Sequence, residues 1–343
     1  MNVLVVKIAA IGDFLMATPA LRALKLNPAV DRVILLAGLS IVPVVEGNPH
    51  LDQIYTLDDA RIFRGAFLAK LWEVLKISWR LRREKIDLGF NFHRDWRFNI
   101  ILFLAGCKKR IGFARGRKSR LLTTRVAVEG VKHHIFHYCD LLKTQGIFCL
   151  DFKMEFLVGA DAVNAAEAKF LREKQISDYV VLVPGGAANV KEEMDSRRWG
   201  TENFAALAGL LVASGRQVVL LGSRGDQKIS RLIIEAQPQV IDFCGQTSLS
   251  EAAVLLKKSR LVVSNDSGLM HLADAVGAKI IAIFGPTHPE EKKPLTAGNI
   301  VVWKGEDLEC SPCYHDGAFP ECRHRSCFKK IFPQEIFELT KTF

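Results

Sequence analysis

The amino-acid sequence reads as an α/β chain of two Rossmann-like domains with mainly parallel sheets. Its 343 residues exceed what one hydrophobic core usually spans, so two domains are the default. Short β-rich apolar runs alternate with longer amphipathic stretches, the pattern of parallel strands joined by crossover helices. The alternation restarts after an acidic, alanine-rich stretch at 161–174 that fits a connecting helix.

In chain order, the first half offers strands at 3–8, 33–37, 54–56 and 88–92, with helices at 16–26, 66–83, 99–104 and 135–145. The stretch GFARGRKSRLLTT at 112–124 reads as a basic loop. The second half offers strands at 180–183, 218–221, 261–263 and 280–284, with helices at 203–213, 227–235, 250–257 and 270–276. Pro238 and Pro286 mark loops, because proline neither continues a helix nor donates to a central ladder. The expected division is 1–168 and 169–332, followed by a C-terminal helix at 333–343. Ligands of such sheets bind beyond the C-terminal ends of the strands, so two facing units would place the site in the cleft between them.

The chain is 49% hydrophobic and 24% charged, ordinary for a folded cytosolic protein. No apolar run reaches the roughly 18 residues needed to cross a bilayer. Lys7 and Asp13 interrupt the apolar N-terminus, and no basic segment precedes it, so it reads as a buried first strand and not as a signal peptide. A cytoplasmic location is expected. The net charge of +10 is uneven: residues 1–150 hold 24 Lys and Arg against 12 Asp and Glu, and the remainder holds 23 against 25. Within 61–125 the ratio is 18 to 4. A basic field of this kind attracts phosphate-rich partners and anionic membranes, although solvated lysines would give the same count. Interleaved surface aromatics and any nucleic-acid module are missing, which argues against a nucleic-acid partner. No amphipathic anchor stands out.

Three constellations carry chemistry. In the first, Lys7 ends a strand, Gly12 supplies a permissive turn, and Asp13 sits beside the next helix N-terminus. The dipole favours a carboxylate there, as a simple cap or as a general base for a hydroxyl. In the second, Ser264-Asn265-Asp266-Ser267-Gly268 follows an apolar strand, with His271 one turn on and Thr287 in the next strand-loop unit. A strand, a small polar turn and a helix make an anion site, with backbone N–H groups at Ser267 and Gly268 able to hold a diphosphate. Asp266 and Ser267 could equally be N-caps, and His271 a core histidine. In the third, Gly185 and Gly186 precede Lys191, Arg197 and Arg198. A glycine loop lets backbone approach a ligand, and one cation could neutralise a departing diphosphate. A solvated face is the alternative for the arginines.

KIAAIGDFLMATPALRALK, PGGAANVKEEMDSRRWG and VSNDSGLMHLADAVGAKIIAIFGPTHP, in this order, resemble the three signature regions of glycosyltransferase family nine. That is the family of ADP-heptose:lipopolysaccharide heptosyltransferases, and the resemblance covers nearly the whole chain. It implies a GT-B fold whose N-terminal domain takes the acceptor, whose C-terminal domain takes the nucleotide sugar, ADP-heptose, and whose C-terminal helix packs back on the first domain. It also implies inversion with no required cofactor. Asp13 would be the base, with Lys7 and Gly12 on the acceptor side. Gly185, Gly186, Lys191, Arg197, Asp266, Ser267, Gly268, His271 and Thr287 would serve the donor. Where the family pattern often has hydroxyl residues, this chain has Ala9, Ala10, Ala187 and Ala188. That leaves room for another nucleotide sugar, or for an epimerase of the same fold that needs no lipid acceptor.

An acceptor made of lipid A and keto-deoxy-octulosonate is an anionic glycolipid, which suits the basic half. His93, Arg94 and Arg97, just after a strand, are placed nearest to it, since Arg contacts phosphate and carboxylate in a bidentate manner. Transient contact with the cytoplasmic face of the inner membrane follows as an expectation. Near the C-terminus, Cys310, Cys313, Cys322 and Cys327 have the inventory of a structural Zn site, but disulfides or reduced thiols fit the irregular spacing as well.

Overall fold

The computed structural model describes residues 1–186, 194–313, 322 and 324–343. The chain divides into two compact units, with the change at Met154 to Glu155 and not at 168. The connecting helix therefore belongs to the second unit. Lys191, one of the expected donor residues, lies outside the described residues.

The first unit is a six-stranded, fully parallel sheet in the order β3-β2-β1-β4-β5-β6. The strands are β1 Asn2–Val6, β2 Arg32–Gly38, β3 Gln53–Leu57, β4 Leu88–Asn91, β5 Lys109–Phe113 and β6 Thr124–Val126. Its principal helices are α1 Ile11–Leu15, α2 Thr18–Lys25, α3 Phe67–Arg82, α4 Arg97–Leu104 and α5 His134–Lys143. The central strands are apolar without alternation because both faces are covered. Leu4, Val6, Ile34 and Leu36 pack with Ile77 and Leu81 of α3 and with Phe98, Ile101 and Leu102 of α4.

The second unit repeats the plan in the order β12-β11-β10-β7-β8-β9, again fully parallel. Its strands are β7 Tyr179–Val183, β8 Gln217–Leu220, β9 Ile241–Asp242, β10 Leu261–Asn265, β11 Ile280–Phe284 and β12 Ile300–Trp303. Its principal helices are α6 Ala160–Ala166, α7 Thr201–Ala213, α8 Gln227–Ala236, α9 Leu249–Lys258, α10 Gly268–Ala275 and α11 Pro333–Thr340. Val180, Leu182, Val263 and Ile283 pack with Phe204, Leu207 and Leu211 of α7 and with Ile233 of α8.

Several sequence expectations need correction. The helix expected at 16–26 is α2, with Pro19 in its first turn, where proline is tolerated; the short helix α1 before it went unread. Strands β5, β6, β9 and β12 went unread: they lie toward the sheet edges, are short, and two of them carry Lys or Arg, as edge strands commonly do. Part of the basic loop is thus strand. The C-terminal helix, expected against the first domain, rests on α7 instead, with Ile336 fully buried in the core of the second unit. Cys139 and Cys149 are bonded to each other, with Cα atoms 5.9 Å apart.

Candidate functional site

Each sheet reverses its strand order once, between β1 and β4 and between β7 and β10. At such a switch point the loops after the two central strands splay apart and leave a crevice at their carboxyl ends. The first constellation follows β1, His93, Arg94 and Arg97 follow β4, the glycine loop follows β7, and Asp266 to His271 follow β10.

In the first unit, β1 ends at Val6, so Lys7 is the first residue beyond the strand. Its side chain is only 2% exposed, yet its ammonium lies 3.1 Å from Asp13 Oδ2. A buried ammonium is tolerable only when paired, and the Tyr138 ring, 5.5 Å from Nζ, adds a cation–π contact. Asp13 itself is 32% exposed and lies in the first turn of α1. Gly12 has helical backbone inside α1, so the expected permissive turn is not what requires it. After β4, Asn91 accepts a hydrogen bond from His93 N, and His93 Nε2 accepts one from Ile8 N at 2.6 Å. His93 thereby links the loop after β4 to the one after β1.

Arg94 is exposed, and its charge reaches two side chains of α5. Burial pushes the His137 pKa down to about 4, with the charges of Arg94 and Lys132 assisting. Burial also pushes the Tyr138 phenol well above its ordinary range, and the charge of Asp13 adds to this. Arg97 is occupied: its Nε donates to Asp95 Oδ2 at 2.9 Å, so a neighbouring carboxylate already neutralises it. The sequence had offered Arg97 as an acceptor contact without weighing Asp95 two positions earlier.

In the second unit, Asp266 follows β10 and is 1% exposed. Thr287 Oγ1 donates to its Oδ2 at 2.7 Å, and Arg197 lies 2.7 Å from the same oxygen while also donating to the Asp266 carbonyl. Burial acts to raise the pKa of this carboxyl. The charges of Arg197, Lys292 and His271, with the Thr287 hydroxyl, outweigh it and hold the value at about 2. Arg197 therefore braces Asp266, in addition to any contact with a ligand. Among the described residues its Nε, and Asp266 Oδ1, have no hydrogen-bond partner. Ser267 caps α10, accepting from Met270 N at 3.3 Å, and Gly268 opens that helix. His271 is buried one turn on.

The glycine loop after β7 comes close to this turn. Gly186 has φ +82°, and a Cβ added there would stand 2.7 Å from Ser267 Cβ. A Cβ at Gly185 would meet Asp226 Oδ1 at 2.1 Å. Both positions need glycine for space, and Gly186 needs it for conformation as well. Two residues that sequence reasoning missed lock the loop. Asp226 accepts from Gly186 N at 2.9 Å, and Asn265 donates to the Pro184 carbonyl while accepting from Trp199 N. The S-x-x-D pattern from Ser223 to Asp226 was the available signal, since the two form a capping box. Arg198 donates to the Gly186 carbonyl and is not a solvated face.

Cys310, Cys313, Cys322 and Cys327 do converge, around a small cavity shared with Pro286 and His324. All four are free thiols. Burial raises the Cys327 thiol to about 11, and the other three cysteines push in the same direction. Among the described residues, no group of three or more His, Cys, Asp or Glu could hold a metal ion. The disulfide alternative is corrected by these positions.

Residues 74–323 match the model of glycosyltransferase family 9 (heptosyltransferase). Lipopolysaccharide heptosyltransferase 2 of Escherichia coli strain K12 is 25% identical over 98% of this chain and 97% of its own. Among solved structures, E. coli ADP-heptose lps heptosyltransferase II superposes with a TM-score of 0.77 at 22% identity, over 100% of this chain and 98% of that one. E. coli heptosyltransferase WaaC with ADP superposes with a TM-score of 0.73 at 18% identity, over 100% and 99%. These likenesses establish the GT-B fold.

Proposed function

The chain belongs to glycosyltransferase family 9, the heptosyltransferases, and from that premise we propose that it transfers heptose from ADP-heptose to the inner core of lipopolysaccharide. The observation that carries the reading is the pair of switch points: a half-exposed carboxylate stands at one, and a glycine loop beside a capped helix N-terminus stands at the other.

In this reading the second unit holds the donor. Ser267 and Gly268 bring backbone N–H groups to the diphosphate, Gly186 lets the glycine loop approach that turn closely, and the N-terminus of α10 favours the ligand's charge. Asp266 does not face that charge alone, since Arg197 neutralises it. Lys191 is a further candidate for the diphosphate. The first unit holds the acceptor. Asp13 takes the proton of the acceptor hydroxyl, and the freed oxygen forms a bond to the anomeric carbon. The anomeric carbon–oxygen bond to the diphosphate breaks, its electron pair leaves with ADP, and the configuration inverts. Lys7 fixes the position of Asp13, and Arg94 offers an exposed cation to an anionic acceptor. The chemistry assigned to these residues calls on no cofactor. No helix among the described residues is long and apolar enough to cross a membrane, so the acceptor would be met from the bilayer surface.

Calorimetry against ADP, UDP, GDP, CDP and CMP tests the donor assignment, because a ligand of the folded state stabilises it by mass action. Selective binding of ADP is expected. Selective binding of another nucleotide would discard heptose, which the alanines at 9 and 10 make worth testing.

A further inference from the structure

Helix α3 carries an apolar face that the sequence pattern hid. Phe67, Leu68, Leu71, Trp72, Leu75 and Trp79 are exposed, Phe67 by 77% and Trp79 by 60%. At ~100° per residue they span an arc of about 140° on one side of the helix. A second apolar stripe, Val74, Ile77 and Leu81, is turned about 120° from the centre of this face and packs on the sheet. A monomeric protein seldom leaves six large apolar side chains exposed on one helix face.

The polar residues beside this face are of one sign. Lys76, Arg80 and Arg83 are exposed along its edge, Arg83 lies 3.9 Å over the Trp79 ring, and Arg82, within the arc at the end of the helix, donates to the Leu104 carbonyl. The helix has one acid, Glu73, and it points inward: it is buried and accepts from Asp58 N at 3.2 Å. The surrounding segment 61–125 holds 18 basic against 4 acidic residues.

We propose that α3 lies flat in the interface of an anionic phospholipid bilayer, with this face among the acyl chains and the flanking Lys and Arg at the phosphates. Tryptophan and leucine flanked by cations are what such a helix needs, and the arginine stems can reach up to the headgroups. A second copy of the chain is the poorer occupant, because a self-complementary contact would set the cationic flank against itself. The face is argued from its own residues, but its purpose rests on the proposed reading that the acceptor is a glycolipid.

The test is flotation of the full chain with vesicles that contain no glycolipid: phosphatidylcholine alone, or with phosphatidylglycerol. The chain is expected to float with the anionic vesicles, less so as salt rises. Substituting Trp72→Ser and Trp79→Ser, both exposed and outside the site, should cut partitioning about tenfold each while leaving Tm unchanged. Lys76→Gln should cut it about fivefold, on anionic vesicles only. Undiminished flotation of the double variant, or no flotation of the native chain, would overturn the proposal. So would a native dimer that the tryptophan substitutions dissociate. Vesicle binding by a chain that fails to transfer heptose would uphold the surface and overturn only the reading of function.

Discussion

Replacing Asp266 by Asn keeps the shape of the side chain and removes its charge. The carboxyl is held at about 2 in the folded chain, against an ordinary 3.8. The pKa is lowered, so the ionised form contributes stability that is present above pH ~4 and is lost as pH falls through ~2. At ~1.4 kcal/mol per unit the shift amounts to roughly 2–3 kcal/mol at neutral pH, and about half of that at pH 3. The substitution also leaves the Arg197 guanidinium, 12% exposed, without its counter-charge. Breaking a buried pair in this way costs ~3–5 kcal/mol. A loss of roughly 2–5 kcal/mol at pH 7 follows, shrinking toward pH 3. Urea unfolding of both proteins across this pH range measures it, and ADP affinity should fall in parallel because Arg197 and the turn at Ser267 lose their brace. Equal stability of the two proteins at pH 7, or a difference that does not shrink in acid, would refute the reasoning.

Asp13→Asn should lower kcat by ~10²–10⁴, the usual worth of a general base, with ADP affinity unchanged in calorimetry; loss of both in a folded variant would argue against a base. Gly186→Ala forces a side chain into φ +82° and against Ser267, so it should cost about 1–2 kcal/mol for the backbone alone and should weaken ADP binding, as read by thermal shift. His137 is held at about 4 in the folded chain against 6.5, so the unfolded chain binds the extra proton between these values and native stability falls as pH drops from ~6.5 to ~4. His137→Gln should flatten that part of the stability-versus-pH curve, and an unchanged slope would contradict the assignment.

The strand-loop-helix units were legible because the central strands are buried on both faces and read as apolar runs. The same fact made the turns after β1, β7 and β10 stand out, since Lys7, the Gly185–Gly186 pair and Asp266 interrupt those runs abruptly. What escaped was information carried by packing. Asp226 and Asn265 act on a loop forty or more residues distant in sequence; the S-x-x-D pattern marks Asp226 as a cap but does not name that distant partner. Helix α3 is apolar on its inner and its outer face, so its periodicity resembled that of a buried helix and no amphipathic anchor showed. The C-terminal helix is amphipathic, and sequence cannot say which unit receives its apolar side. The convergence of four cysteines was legible from spacing, but their state was not.

The most direct measurement is transfer itself: ADP-heptose and a lipid A–keto-deoxy-octulosonate acceptor incubated with the chain, with glycolipid mass and released nucleotide followed together. A glycolipid heavier by one heptose and an equal amount of ADP are expected, both abolished by Asp13→Asn. An unmodified acceptor in the presence of folded, ADP-binding protein, or sugar transferred only from a different nucleotide, would contradict the proposed function.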